Sequence, residues 1–151
     1  MYHYGHLIRI LHCSTRQETT KVLASMDLTS AQGHIMGYLE HCETPPCARD
    51  IEERFRLSHP TVSGLLSRLE KKEFITFRPD ENDRRCKRIY VLPKGKEFSQ
   101  TIWQTILDTE SRLVADFTEE EKAQFRSFLA RAVVNMGGDP DFHPDKEDKQ
   151  P

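Results

Sequence analysis

Residues 57–92, LSHPTVSGLLSRLEKKEFITFRPDENDRRCKRIYVL, hold the pattern that decides the fold. Val62, Leu65, Leu66 and Leu69 fall at i, i+3, i+4 and i+7, the spacing of one buried helix face. Ser58 stands before this run as an N-cap, and Pro60 in the first turn costs no helix hydrogen bond. The opposite face carries Pro60, Gly64, Ser67 and Lys71, with Ser63 and Arg68 alongside, so it is small, hydroxylated and basic. Two β-prone runs follow, Phe74 to Arg78 and Lys87 to Leu92. They bracket PDENDRRC, a stretch of turn formers and charges too long for a two-residue turn, which predicts a hairpin whose loop projects as a flap.

Upstream, the turn Arg56-Leu57-Ser58 joins that helix to a shorter one, Ala48 to Phe55, with Ala48, Ile51 and Phe55 on its buried face. Pro45-Pro46 stops what precedes, because neither residue has a backbone donor. Before it, Thr29 and Gln32 have the spacing of a capping box, opening a helix that buries Ile35, Met36 and Leu39. The first helix spans His3 to Ser25, with Leu7, Ile8 and Leu11 at one end and Val22, Leu23 and Met26 at the other. Its middle is polar: His12, Ser14, Thr15 and Gln17.

Downstream, a long helix begins at Pro93, with Phe98, Ile102, Ile106, Leu113, Val114 and Phe117 in one stripe. Trp103 and Leu107 lie off that stripe, which implies a second covered surface and hence a second copy of the chain. A further capping box, Thr118 to Glu121, opens a last helix expected to bury Phe125, Phe128, Leu129, Ala132, Val133 and Met136. The acidic stretch 137–151, rich in Gly, Pro and charge, is expected to be a disordered tail. The fold class is therefore mainly α with a small β-hairpin wing. A winged helix-turn-helix at about 28–95 is flanked by dimerisation helices at about 3–25 and 94–136, in a single domain over 1–136.

Net charge is −2, but its distribution matters more than its sum. Residues 48–96 hold 13 Lys and Arg against 8 Asp and Glu, a local +5, while the segments on either side are acidic. A basic middle carrying two short helices and a flap is the footprint of a double-stranded DNA binder. A helix entering the major groove needs short donors and acceptors plus cations for guanine edges and phosphates. A wing that reaches the minor groove favours arginine. The residues expected to touch DNA are Ser58, His59, Thr61, Ser63, Gly64, Ser67, Arg68, Lys71, Arg78, Asp83, Arg84, Arg85, Lys87 and Arg88. The run Asp83 to Arg88 offers four cations and one carboxylate, Asp83, which is placed to hold an arginine in a fixed rotamer.

At these positions the chain resembles the MarR family of winged helix-turn-helix transcriptional regulators. The resemblance rests on LTSAQ (28–32), LSHPTVSGLLSRLEKKEFI (57–75), the Asp83-Arg84-Arg85 wing motif and VLPKG (91–95). It implies that Asp83 and Arg85 stabilise and present the wing tip, and that the first, fifth and sixth helices form a homodimer. It also implies that a small-molecule effector binds between that interface and the winged domain. Two positions depart from the family pattern. Glu73 stands where glycine is usual after the recognition helix, and Pro93 where threonine is usual.

Other chemistries find less support. No Gly-rich phosphate loop or nucleophile motif points to an enzyme, and no cofactor is called for. His3, His6, His34, His41 and Cys42 are metal-ligand types, but no segment brings together the four donors zinc wants, so no metal is assigned. Cys86, between Arg85 and Lys87, has the cationic setting of a redox thiol, and a passive small residue is the plainer reading. The four cysteines show no disulfide framework, and no apolar run suits a membrane span or secretory signal, so a cytoplasmic location without a membrane partner is expected. A protein-interaction winged helix is the rival reading, and a thiol- or metal-switched regulator is a variant of the first.

Overall fold

The computed structural model describes residues 3–83 and 85–141. Six helices and one hairpin follow in the order α1 (Tyr4–Ser25), α2 (Ser30–His41), α3 (Ala48–Phe55), α4 (His59–Lys71), β1 (Ile75–Pro79), β2 (Lys87–Val91), α5 (Pro93–Leu113) and α6 (Glu119–Asn135). Both capping boxes form. The Thr29 hydroxyl accepts from the Gln32 N–H while the Gln32 side chain accepts the Thr29 N–H, and Thr118 and Glu121 repeat the exchange. These bonds satisfy donors that a helix start leaves without intrahelical partners.

The core sits between α2, α3, α4 and the hairpin. Ile35, Met36, Ile51, Val62, Leu66, Leu69, Phe74, Ile75 and Ile89 are all buried, and Phe98 brings α5 onto the same cluster. Phe74 and Phe98 meet edge to face with centroids 6.1 Å apart. The strands pair antiparallel with Ile75 opposite Val91 and Phe77 opposite Ile89, so the hairpin's inner residues close the core. A short bridge from Cys47 to Arg88, with the Ile89 N–H donating to the Pro46 carbonyl at 2.8 Å, adds the segment before α3 to the free edge of β2. Gly95 permits the approach of α5: a Cβ there would lie 2.5 Å from the Phe74 carbonyl oxygen.

Three expectations need correction. Ser58 is the N-cap residue of α4, but its hydroxyl bonds the Thr61 hydroxyl at 2.8 Å instead of capping a backbone N–H. The first strand runs 75–79, one residue later than expected, and the second 87–91, one residue shorter, because Leu92 is the N-cap residue of α5. The largest correction concerns α6. None of its residues is buried within the chain, and Phe128, Leu129, Val133 and Met136 are exposed. Periodicity reports a face made to be covered; it does not say that the same chain covers it. Of the tail 137–151, Gly137 to Asp141 are exposed and the remainder lies outside the described residues.

Candidate nucleic-acid interface

Helix α3 ends at Arg56, which takes the left-handed conformation (φ 52°), and this turns the chain so that α4 starts across α3. Val62, Leu66 and Leu69 anchor α4 inward, which leaves Ser58, His59, Thr61, Ser63, Ser67, Arg68 and Lys71 on the solvent side. Gly64 is half-buried, yet a Cβ added there would meet nothing within 4 Å. The His59 Nδ1 lies 2.6 Å from the Glu52 carboxylate, tying the start of α4 to α3. Helix α4 ends at Lys72, and Glu73 takes φ 63°, the left-handed turn for which glycine is suited.

The wing is built around one carboxylate. Asp80 accepts the backbone N–H groups of Asn82 and Asp83 on one oxygen, at 2.7 and 3.0 Å, and the Arg88 Nε at 2.6 Å on the other. Arg88, foremost, and then the two N–H groups hold the Asp80 carboxyl below the usual carboxylate range. Arg88 also reaches the Pro45 carbonyl at 3.3 Å. Arg88 is thus half-buried and turned toward the wing root, where it braces the loop. The acid–arginine side-chain pair is Asp80–Arg88, because Asp80 lies just past Arg78, the cross-strand partner of Arg88. Asp83 accepts the backbone N–H of Arg85 at 2.9 Å, shaping the tip, and among the described residues no guanidinium pairs with it.

Arg85 and Lys87 are exposed, and Arg78 stacks over the Tyr90 ring at 4.8 Å. Arg84 lies outside the described residues. Between wing and α4 runs a groove of about 600 Å³ that gathers His59, Ser63, Ser67, Asp83, Arg85 and Lys87 on one side of the molecule. Arg68, Lys71 and Arg78 are exposed but do not line it. Asp80 and Tyr90 are the residues that sequence reasoning missed. An aspartate opening a polar loop, able to accept the backbone N–H two residues on, is the Asx-turn signal that points to Asp80. Among the described residues no three His, Cys, Asp or Glu side chains gather as a metal site, and no helix is long and apolar enough to cross a membrane.

Comparison with known proteins gives consistent results. A family model described as MarR family matches residues 28–87. The chain is 30% identical over 92 residues to the HTH-type transcriptional regulator YcgE of Bacillus subtilis, spanning 61% of this chain and 60% of that relative. It is 25% identical over 118 residues to the HTH-type transcriptional regulator PecS of Dickeya dadantii, spanning 77% and 71%. The S. aureus MepR–DNA complex superposes with a TM-score of 0.79 at 30% identity, covering 88% of this chain and 99% of that one.

Proposed function

The chain belongs to the MarR family of winged helix-turn-helix, DNA-binding transcriptional regulators, and we propose that it acts as a homodimeric, ligand-responsive repressor on a pseudo-palindromic operator. As a transcriptional regulator it is not an enzyme. The observation that carries the proposal is the shared groove. Ser63 and Ser67 from α4 face the same space as Arg85 and Lys87 from the wing, so one duplex meets both. Helix α4 enters the major groove with Ser63, Ser67 and Arg68 at base edges, while Ser58, His59, Thr61 and Lys71 meet the backbone. Gly64 leaves space for close approach. Arg85, with Arg84 beside it, follows the adjacent minor groove, and Lys87 and Arg78 meet phosphates.

The second copy rests on α1, α5 and α6. Leu7, Ile8, Ile10 and Leu11 of α1, Trp103 and Leu107 of α5, and Phe128, Leu129 and Val134 of α6 are exposed in one chain. Apolar surface of this extent suits an isologous interface. Two α4 helices related by a two-fold axis then read two half-sites, and a ligand acts by favouring one spacing of those helices over another. A cytoplasmic location fits a regulator of this kind.

A mobility-shift titration tests the reading, using DNA upstream of the coding region in excess competitor at two salt concentrations. Tight binding that falls steeply with salt and weakens in Arg85→Ala is expected. Weak binding without sequence preference, unchanged by Arg85→Ala, overturns the wing assignment and favours a protein-interaction module.

A further inference from the structure

Cys47 and Cys86 are distant in sequence and come together at the root of the wing. Cys47 is the N-cap of α3 and pairs with Arg88 across the antiparallel bridge to β2. Cys86 lies two residues before Arg88, so it shares a face of that bridge with Cys47. Both thiols are partly accessible, and both line the groove that holds Ser63, Ser67, Arg85 and Lys87. The backbone around Cys86 is fixed as well. Its carbonyl accepts the Asp80 N–H and its N–H donates to the Asp83 carbonyl, each at 2.9 Å. The other cysteines, Cys13 on α1 and Cys42 after α2, belong to other parts of the molecule.

We propose that Cys47 and Cys86 form a dithiol that a hydroperoxide converts reversibly to an intrachain disulfide, and that this bond moves the wing relative to α4. In the first step the Cys47 thiolate attacks the peroxide, the O–O bond breaks, and a sulfenic acid forms on Cys47 with release of one alcohol or water. In the second, the Cys86 sulfur attacks the Cys47 sulfur, the S–O bond breaks, and water leaves with the Cys86 proton. The two thiols are oxidised by two electrons and the peroxide is reduced by two. Burial, then the adjacent Cys47, pushes the Cys86 thiol up, which suits it to the second, resolving step. A disulfide holds its sulfurs at about 2.05 Å, closer than two unbonded thiols can approach, so closure draws the Cys86 backbone toward α3. Arg85 and Lys87 flank Cys86 and move with it. This consequence for DNA rests on the regulator reading above; the disulfide itself does not.

The test is peptide mapping of the full chain after hydrogen peroxide, alkylation and digestion without reductant. The expected result is one intrachain cross-link joining the Cys47 and Cys86 peptides, reversed by dithiothreitol and retained in a Cys13→Ser, Cys42→Ser double variant. In Cys86→Ser, Cys47 should carry a sulfenic acid that dimedone traps. Recovery of both thiols in alkylated form while Cys13 or Cys42 oxidises overturns the site, as does a link between two chains. In a DNA titration, oxidation of the wild type should lower affinity about tenfold, the scale of one lost groove contact, while peroxide leaves the affinity of Cys86→Ser where it was. A cross-link without any change in affinity overturns the effect on the wing. Absence of DNA binding by the reduced protein counts against the regulator reading alone, since the cross-link map still decides the site.

Discussion

The winged segment and the terminal helices use apolar side chains in opposite ways. From Leu28 to Ile89 the periodic apolar residues turn inward: Ile35, Met36, Ile51, Val62, Leu66, Leu69, Phe74, Ile75 and Ile89 are buried. In α1 and α6 no residue is buried, although the same kind of stripe is present. Helix period alone therefore distinguishes a face that needs covering from one that does not, and leaves open what covers it. One region is complete in a single chain. The other acquires its core only against a second copy, on the reading proposed above.

Substitutions separate the two regions. Leu66→Ala opens a cavity in the complete core and should lower unfolding stability by about 2–5 kcal/mol, read by denaturant titration of the isolated protein. The same change at exposed Leu129 should leave intrachain packing intact, and Leu129→Asp should instead weaken self-association by about 2–4 kcal/mol, the range of an interface hot spot. Sedimentation at several concentrations reads that effect. A Leu129→Asp protein that stays dimeric would remove α6 from the interface. Arg85→Ala touches neither region's packing and should cost about 1–3 kcal/mol in DNA affinity, with a salt slope shallower by about one.

The smallest expected effect is a gain. Glu73 sits at φ 63°, exposed, where a side chain costs conformational energy that glycine avoids. Glu73→Gly should raise stability by about 0.5–1 kcal/mol with DNA affinity unchanged. Acid should affect the wing before the core. The Asp80 carboxyl is held low by Arg88 and by the Asn82 and Asp83 N–H groups. Because its folded pKa lies below the unfolded value, its contribution is present above the ordinary aspartate range and is lost as pH falls through the lowered folded pKa. Amide exchange at Asn82 and Asp83 should therefore stay slow through the ordinary aspartate range and quicken only as pH falls below it, and Asp80→Asn should quicken it at neutral pH.

Much of the fold was legible in the residues, and the reasons differ by element. The capping boxes at Thr29 and Thr118 were readable because both partners lie within one turn. The α4 face was readable because Val62, Leu66 and Leu69 oppose Ser63, Ser67 and Arg68. The wing root was not. Asp80 and Arg88 are eight residues apart across a loop, and their pairing follows from strand register, which a run of charges does not encode. The nearness of Cys47 and Cys86 was hidden for the same reason, since Pro46 and Cys47 reach the edge of β2 through backbone pairing that no local run of residues encodes. Glu73 stands where glycine is the residue suited to the turn, and it nevertheless adopts the left-handed conformation that glycine would favour.

The most direct measurement is a hydroxyl-radical footprint of the wild-type protein on its upstream DNA. The account expects two symmetric patches of protection whose centres are one helical turn, about 10 base pairs, or a multiple of it apart. Each patch should include minor-groove protection that Arg85→Ala removes. A single continuous or unlocalised footprint, or two patches indifferent to Arg85→Ala, would contradict the claim that α4 and the wing of two copies read the duplex together.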